Sequence, residues 1–142
     1  MYQHILAAYD GSEASRKALQ QAVAIAKGAP GTKLTVVHAL YQPTYAFGEF
    51  GFIPPEDYDR RVKEYEAKLL DEAKDQAASL SNVDFAVLTG YPASAILEYA
   101  KQNNCDLIVM GSRGLGAVRE WMLGSVSHYV VQRAQIPVLI VK

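Results

Sequence analysis

Five short apolar runs, alternating with segments of helical spacing, constrain this chain more than any other feature. The runs are Ile5 to Tyr9, Leu34 to Leu40, Val83 to Leu88, Leu107 to Met110 and Pro137 to Val141. Each is rich in β-branched or aliphatic residues and short enough to be a buried strand. Between the first two, Ala14, Ala18, Leu19, Ala22, Val23 and Ala26 recur at helical spacing from Ser12 to Lys27, and Gly28 to Gly31 stops the helix. After a loosely composed aromatic loop from Tyr41 to Pro55, the pair Pro54-Pro55 and the acids Glu56-Asp57 suit a helix start. The stripe Tyr58, Val62, Tyr65, Leu69, Ala73, Ala77 and Leu80 continues that helix. Pro92 to Gln102, Ala117 to Leu123 and Ser125 to Ala134 read as further helices. Parallel neighbours need a crossover, and a helix supplies it, so the alternation predicts an α/β fold: an open, doubly wound, five-stranded parallel sheet with helices on both faces. Ligands of such sheets sit beyond the carboxyl ends of the strands, where strand order reverses. The residues after the first and fourth strands are therefore the ones to inspect.

Composition narrows the setting. With 142 residues, the chain has the length of a single domain, residues 1–142, and can bury a core without disulfides or a structural metal. Its 14 basic and 15 acidic residues leave a formal net charge of -1, which argues against nucleic acid or anionic lipid as a partner. No apolar run approaches the roughly 18 residues of a membrane span, and no basic stretch opens an export signal. The single Cys105 can close no internal bridge, consistent with a reducing, cytoplasmic setting.

The fourth strand leads into Gly111-Ser112-Arg113-Gly114, and after nine further residues come Gly124-Ser125-Val126-Ser127. Glycines let backbone N–H groups approach a ligand, and a helix opening at Ser125 aims free N–H groups and its positive dipole end at an anion. Arg113 adds a planar cationic donor, and the hydroxyls of Ser125 and Ser127 could donate to phosphate oxygens. The Walker pattern is absent, and Gly114-Leu115-Gly116 lacks the third glycine of a dinucleotide fingerprint.

These features resemble the universal stress protein family over essentially the whole chain. The likeness rests on Ile5 to Ser12, Val37-His38, Pro92-Ala93, Asp106 to Gly114, Gly124 to Ser127 and Pro137 to Val141. The spacing G-x-x-G, nine residues, G-S/T is that of the family's ATP-binding branch. The resemblance implies the adenine nucleotide alpha hydrolase-like strand order 3-2-1-4-5. It implies ATP as ligand, with Mg2+, ahead of ADP or cyclic AMP. Asp10 is then expected near the ribose and the phosphate-bound metal, and Ala39 at the adenine pocket. Met110, Gly111, Arg113 and Gly114 are expected around the ribose and phosphates, and Gly124, Ser125, Val126 and Ser127 on the phosphate tail. It further implies a homodimer through the C-terminal strand 137–141.

Simpler roles stand beside these. Asp10 is read equally as an N-cap for the helix from Ser12 and as a ligand contact. His4, His38 and His128 lack metal-ligand spacing and read as packed or surface residues. Cys105 reads as a buried, inert thiol. Trp121, Met122 and Leu123 read as packing under the phosphate loop, and Tyr41, Tyr45, Phe47, Phe50 and Phe52 as a cover for the nucleotide or a surface for an unknown protein partner. The chain supplies no evident catalytic base, so a homodimeric ATP-binding sensor or regulatory module is expected rather than an enzyme. Slow ATP hydrolysis or autophosphorylation on Ser125 or Ser127, a nucleotide-independent interaction module, and a flavin or adenosine-phosphate carrier are the competing readings.

Overall fold

A computed structural model describes residues 1–40, 58–113 and 124–142. The aromatic loop, Gly114 and the helix expected from Ala117 to Leu123 lie outside the described residues. The elements run β1 (His4–Ala8), α1 (Glu13–Lys27), β2 (Lys33–Leu40), α2 (Tyr58–Gln76), β3 (Val83–Thr89), α3 (Pro92–Gln102), β4 (Leu107–Gly111), α4 (Ser125–Arg133) and β5 (Val138–Val141). All pairings are parallel, and the strands lie in the order β3-β2-β1-β4-β5. This is the open, doubly wound sheet with the expected order, its reversal falling at β1.

Side-chain alternation along the strands builds two cores. Ile5, Ala7, Leu34, Val36, Leu107 and Val109 face one side, under the Ala-rich stripe of α1, under Leu69 and Ala73 of α2 and under Ala77 just past its end. Leu6, Val37, Ile108 and Met110 face the other, against Ile96 and Ala100 of α3 and Val130 of α4. Period-two strands sandwiched between period-3.6 helices bury both faces, which is why the central strands read as unbroken apolar runs.

Two boundaries differ from the sequence reading in ways that matter for the site. Gly111 belongs to β4 rather than opening the turn, since it pairs with Val141 of β5. Tyr9 has left β1, although its N–H still donates to the Val37 carbonyl at 2.9 Å.

Candidate functional site

The central strand is the short one. Pairing of β1 with β2 ends at Ala8–Val37, and pairing with β4 ends at Ala7–Val109. The flanking pairs run further, β2 with β3 to Leu40–Thr89 and β4 with β5 to Gly111–Val141. A notch is left at the carboxyl edge between the ends of β2 and β4, floored by the turn that follows β1. It lies at the topological switch point, where open α/β sheets bind ligands.

The floor is the turn Asp10-Gly11-Ser12. Ser12, not Asp10, caps α1: its Oγ accepts from the Ser15 N–H at 3.2 Å. Asp10 instead accepts the Ser12 N–H on Oδ1 at 2.9 Å, an Asx turn one step ahead of the cap. The second carboxylate oxygen takes no hydrogen bond from the described residues. Gly11 sits at φ +82°, a backbone conformation that favours glycine, and a Cβ there would also press on the Leu69 Cδ2 methyl group.

On the other side stand Ser112, Arg113 and the start of α4, and Ser112 ties them together. Its carbonyl accepts from Gly124 N–H and from Ser127 Oγ, each at 2.8 Å, while its own N–H donates to Val141 at 2.8 Å. Ser112 and Gly124 are thus held in contact, which puts the backbone of Arg113 next to the start of α4. The N-cap of that helix is Gly124, which has no side chain of its own to bond the first-turn amides. Arg113 is half-buried, and its Nε is buried without a hydrogen-bond partner among the described residues. An orphaned arginine donor, one residue beyond a carbonyl that holds the glycine start of a helix, is a combination suited to an anion.

The predicted residues divide by what the structure does with them. Gly124, Ser125 and Val126 form the open end of α4, with Ser125 exposed. Ser127 is 2 % exposed, and its hydroxyl donates inward to Ser112 and Gly124 carbonyls, so it has no hydrogen left for a phosphate. In this geometry the expected donor role of its side chain is taken up inside the protein, and its backbone N–H is the group that remains. The Met110 side chain is buried in the α3/α4 core. Gly111 is close to α1: a Cβ there would stand 2.8 Å from Ala14 atoms and 2.9 Å from Ser15 N. Ala39 stands near the end of β2, partly buried. Asp10 belongs to the floor of the notch and Arg113 to the segment that follows β4.

Ser112 lies inside the glycine motif, His38 in the Val37-His38 pair and Tyr9 next to Asp10 at the expected adenine pocket, but none of the three was counted among the expected ligand contacts. Tyr9 is 3 % exposed, and its hydroxyl donates to Glu72 Oε2 at 3.2 Å, which Arg16 also approaches at 3.5 Å. Burial first, together with the Glu72 charge, pushes the Tyr9 hydroxyl above its ordinary value, against the pull of Arg16. Among the described residues no group of three or more His, Cys, Asp or Glu could hold a metal. A cavity of about 830 Å3 lies at the opposite, amino-terminal edge, between the ends of α3 and α4, lined by Leu97, Cys105, Ile108 and Ile136. It is remote from the notch.

The profile of the Universal stress protein family matches residues 1–142. The chain belongs to this family. It is 43% identical over 146 residues to the Thermus aquaticus universal stress protein in the QAH/OAS sulfhydrylase 3′ region, covering 100% of both chains. Among solved structures, the hypothetical protein MJ0577 superposes with a TM-score of 0.83 at 26% identity, covering 100% of this chain and 96% of that one. A universal stress protein in complex with cAMP gives 0.72 at 28%, covering 99% and 97%. This member of the family keeps the glycine pattern whole, and among its described residues no helix is long and apolar enough to cross a membrane.

Proposed function

We propose that this chain binds an adenine nucleotide, ATP foremost and with Mg2+, across the notch over β1, and acts in the cytoplasm as a homodimeric sensor or regulatory module. The observation that carries this reading is the buried Arg113 Nε, without a hydrogen-bond partner among the described residues, next to Ser112, whose carbonyl holds Gly124 at the start of α4. The similarity to a universal stress protein in complex with cAMP supports it. The first-turn amides of Ser125, Val126 and Ser127, with the backbone of Gly124, take the phosphate tail, and Arg113 donates to it. Met110, Gly111 and Gly114 contribute backbone around the ribose and phosphates, since the Met110 side chain is committed to the core. Ala39 lines the adenine side. Asp10, with one oxygen held by Ser12 N–H, keeps the other for the ribose or for a metal that arrives with the phosphates. Bound Mg2+ supplies charge neutralisation of the phosphates, which a lone carboxylate cannot.

The test is to release and identify any nucleotide that copurifies, then titrate ATP, ADP and cyclic AMP with Mg2+ into the stripped protein. Gly124→Asp is the decisive variant. Gly124 has φ −65° and ψ 162°, which any residue adopts, and Asp is a favoured N-cap, so the fold should be kept. Its carboxylate would oppose the phosphates, and affinity should fall by about two orders of magnitude or more. Unchanged affinity would remove the site from this end of the sheet.

Slow autophosphorylation is the second reading, favoured by the exposed Ser125 hydroxyl at the first turn of α4. Ser127 is a poor acceptor because it is buried and bonded inward. Mass spectrometry after incubation with ATP should find phosphate on Ser125 if this reading holds, and unmodified chain if binding alone is the function.

A further inference from the structure

We infer that His38 is a positioning residue of the notch, fixing the Tyr9–Asp10 peptide against the end of β2. The inference rests on the nucleotide-binding reading for its functional meaning, while its structural content stands apart. The ladder between β1 and β2 ends at Ala8–Val37, and beyond it the Tyr9 carbonyl is taken by Nδ1 of His38 at 3.0 Å. A carbonyl only accepts, so Nδ1 carries the hydrogen and donates. The contact joins residues 29 apart in sequence where the two strands diverge. One strand end leads to Asp10 and the other to Ala39, so this bond sets the spacing between them.

The opposite nitrogen makes the choice of histidine informative. His38 is 6 % exposed, and its Nε2 is buried with no partner among the described residues. An aliphatic side chain would fill this space without stranding an acceptor, whereas the imidazole gains a single polar bond, the one to Tyr9. Tyr9 is thereby held at three points: its N–H by Val37, its hydroxyl by Glu72 and its carbonyl by His38. Downstream, the Asp10 N–H donates to Ser15 Oγ at 3.3 Å and Asp10 Oδ1 takes the Ser12 N–H. Those two bonds orient the carboxylate only while the Tyr9–Asp10 peptide keeps its plane. Misplacing a binding group by a small distance is costly because a site is built by preorganisation.

The test compares His38→Asn with His38→Leu in the full chain. Asparagine carries its amide nitrogen the same number of bonds from the backbone as Nδ1, so it retains the donor, whereas leucine keeps apolar volume without it. His38→Leu should weaken ATP–Mg2+ binding by about tenfold or more, and His38→Asn should stay within about threefold of the parent. A merely structural histidine would shift the unfolding midpoint in both variants and leave the affinity of the folded protein alone. Equal affinity in His38→Leu, or equal loss in both variants, overturns the inference. Amide exchange of Asp10 and Ser12 in the nucleotide-free protein gives a separate readout. Exchange should speed up by about tenfold in His38→Leu and be restored in His38→Asn. If the parent binds no adenine nucleotide, the proposed function fails; unchanged exchange in His38→Leu would then overturn the positioning role as well, and faster exchange would sustain it.

Discussion

Cys105 shows how a suggestive pair of residues is decided by its hydrogen bonds. Its Sγ lies 3.6 Å from His4 Nδ1, the arrangement of an activated thiol. The imidazole is already committed, with Nδ1 against the Asn103 carbonyl at 3.0 Å and Nε2 against Thr35 Oγ1 at 2.8 Å. Nδ1 therefore carries its hydrogen and cannot accept the thiol proton. Burial, and then the charge of Asp106, push the thiol from 9.0 up to about 11, with Lys33 opposing. A folded-state pKa above the unfolded one favours the protonated form in the native chain. Its contribution to stability is whole below about pH 9 and is lost as pH rises through about 11. Urea unfolding across that window should show stability falling, with a shallower fall in Cys105→Ala. A thiol reagent at pH 8 should label the parent only as fast as it unfolds.

Among the elements, α1 decides how tightly the notch is closed from below. The helix approaches the end of β4 so closely that Gly111 has room for no side chain, its would-be Cβ meeting Ala14 and Ser15 within 2.9 Å. Its neighbours there are a helix backbone and a methyl group, neither of which can swing away. Gly111→Ala should therefore destabilise by about 1–3 kcal/mol in denaturant unfolding, as overpacked sites do. The same displacement moves the start of α1, which carries Ser12 and the Asx turn of Asp10, so nucleotide affinity should fall too. In sequence this glycine looked like a ligand-facing turn residue. Its conservative explanation, a close crossing of helix over strand, needed the positions of Ala14 and Ser15.

At the scale of the whole molecule, helices cover both faces of the sheet, and among the described residues its two edge strands, β3 and β5, each pair on one side only. β5 pairs only with β4, and all of its residues are half-buried. Ile108 N–H donates to the Pro137 carbonyl and Ser112 N–H to that of Val141. Alternation along the strand therefore turns the backbone groups of Val138 and Ile140 outward, toward the open edge. A second copy pairing there would complete the homodimer proposed above. Ile140→Pro removes an outward donor without touching the ladder to β4, and proline is tolerated at an edge. Sedimentation should then show a folded monomer in place of a dimer. A variant that still dimerises would put the interface elsewhere.

Local pattern was enough to determine the alternation of elements, the parallel sheet, the family resemblance and the glycine-bearing turn after β4. Strand burial and helix stripes are written in periods of two and 3.6, and cap and turn residues act over three or four positions, so a linear reading reaches them. Tertiary structure decided the rest. It made Ser12 rather than Asp10 the cap, turned the Ser127 hydroxyl inward, sank the Met110 side chain into the core and ended β1 before its neighbours. It also joined His38 to Tyr9 and Ser112 to Gly124. Each of these outcomes depends on which groups from distant segments meet in a space without water, where an unpaired donor or acceptor is costly. That competition is settled by packing in three dimensions, which no spacing along the chain records.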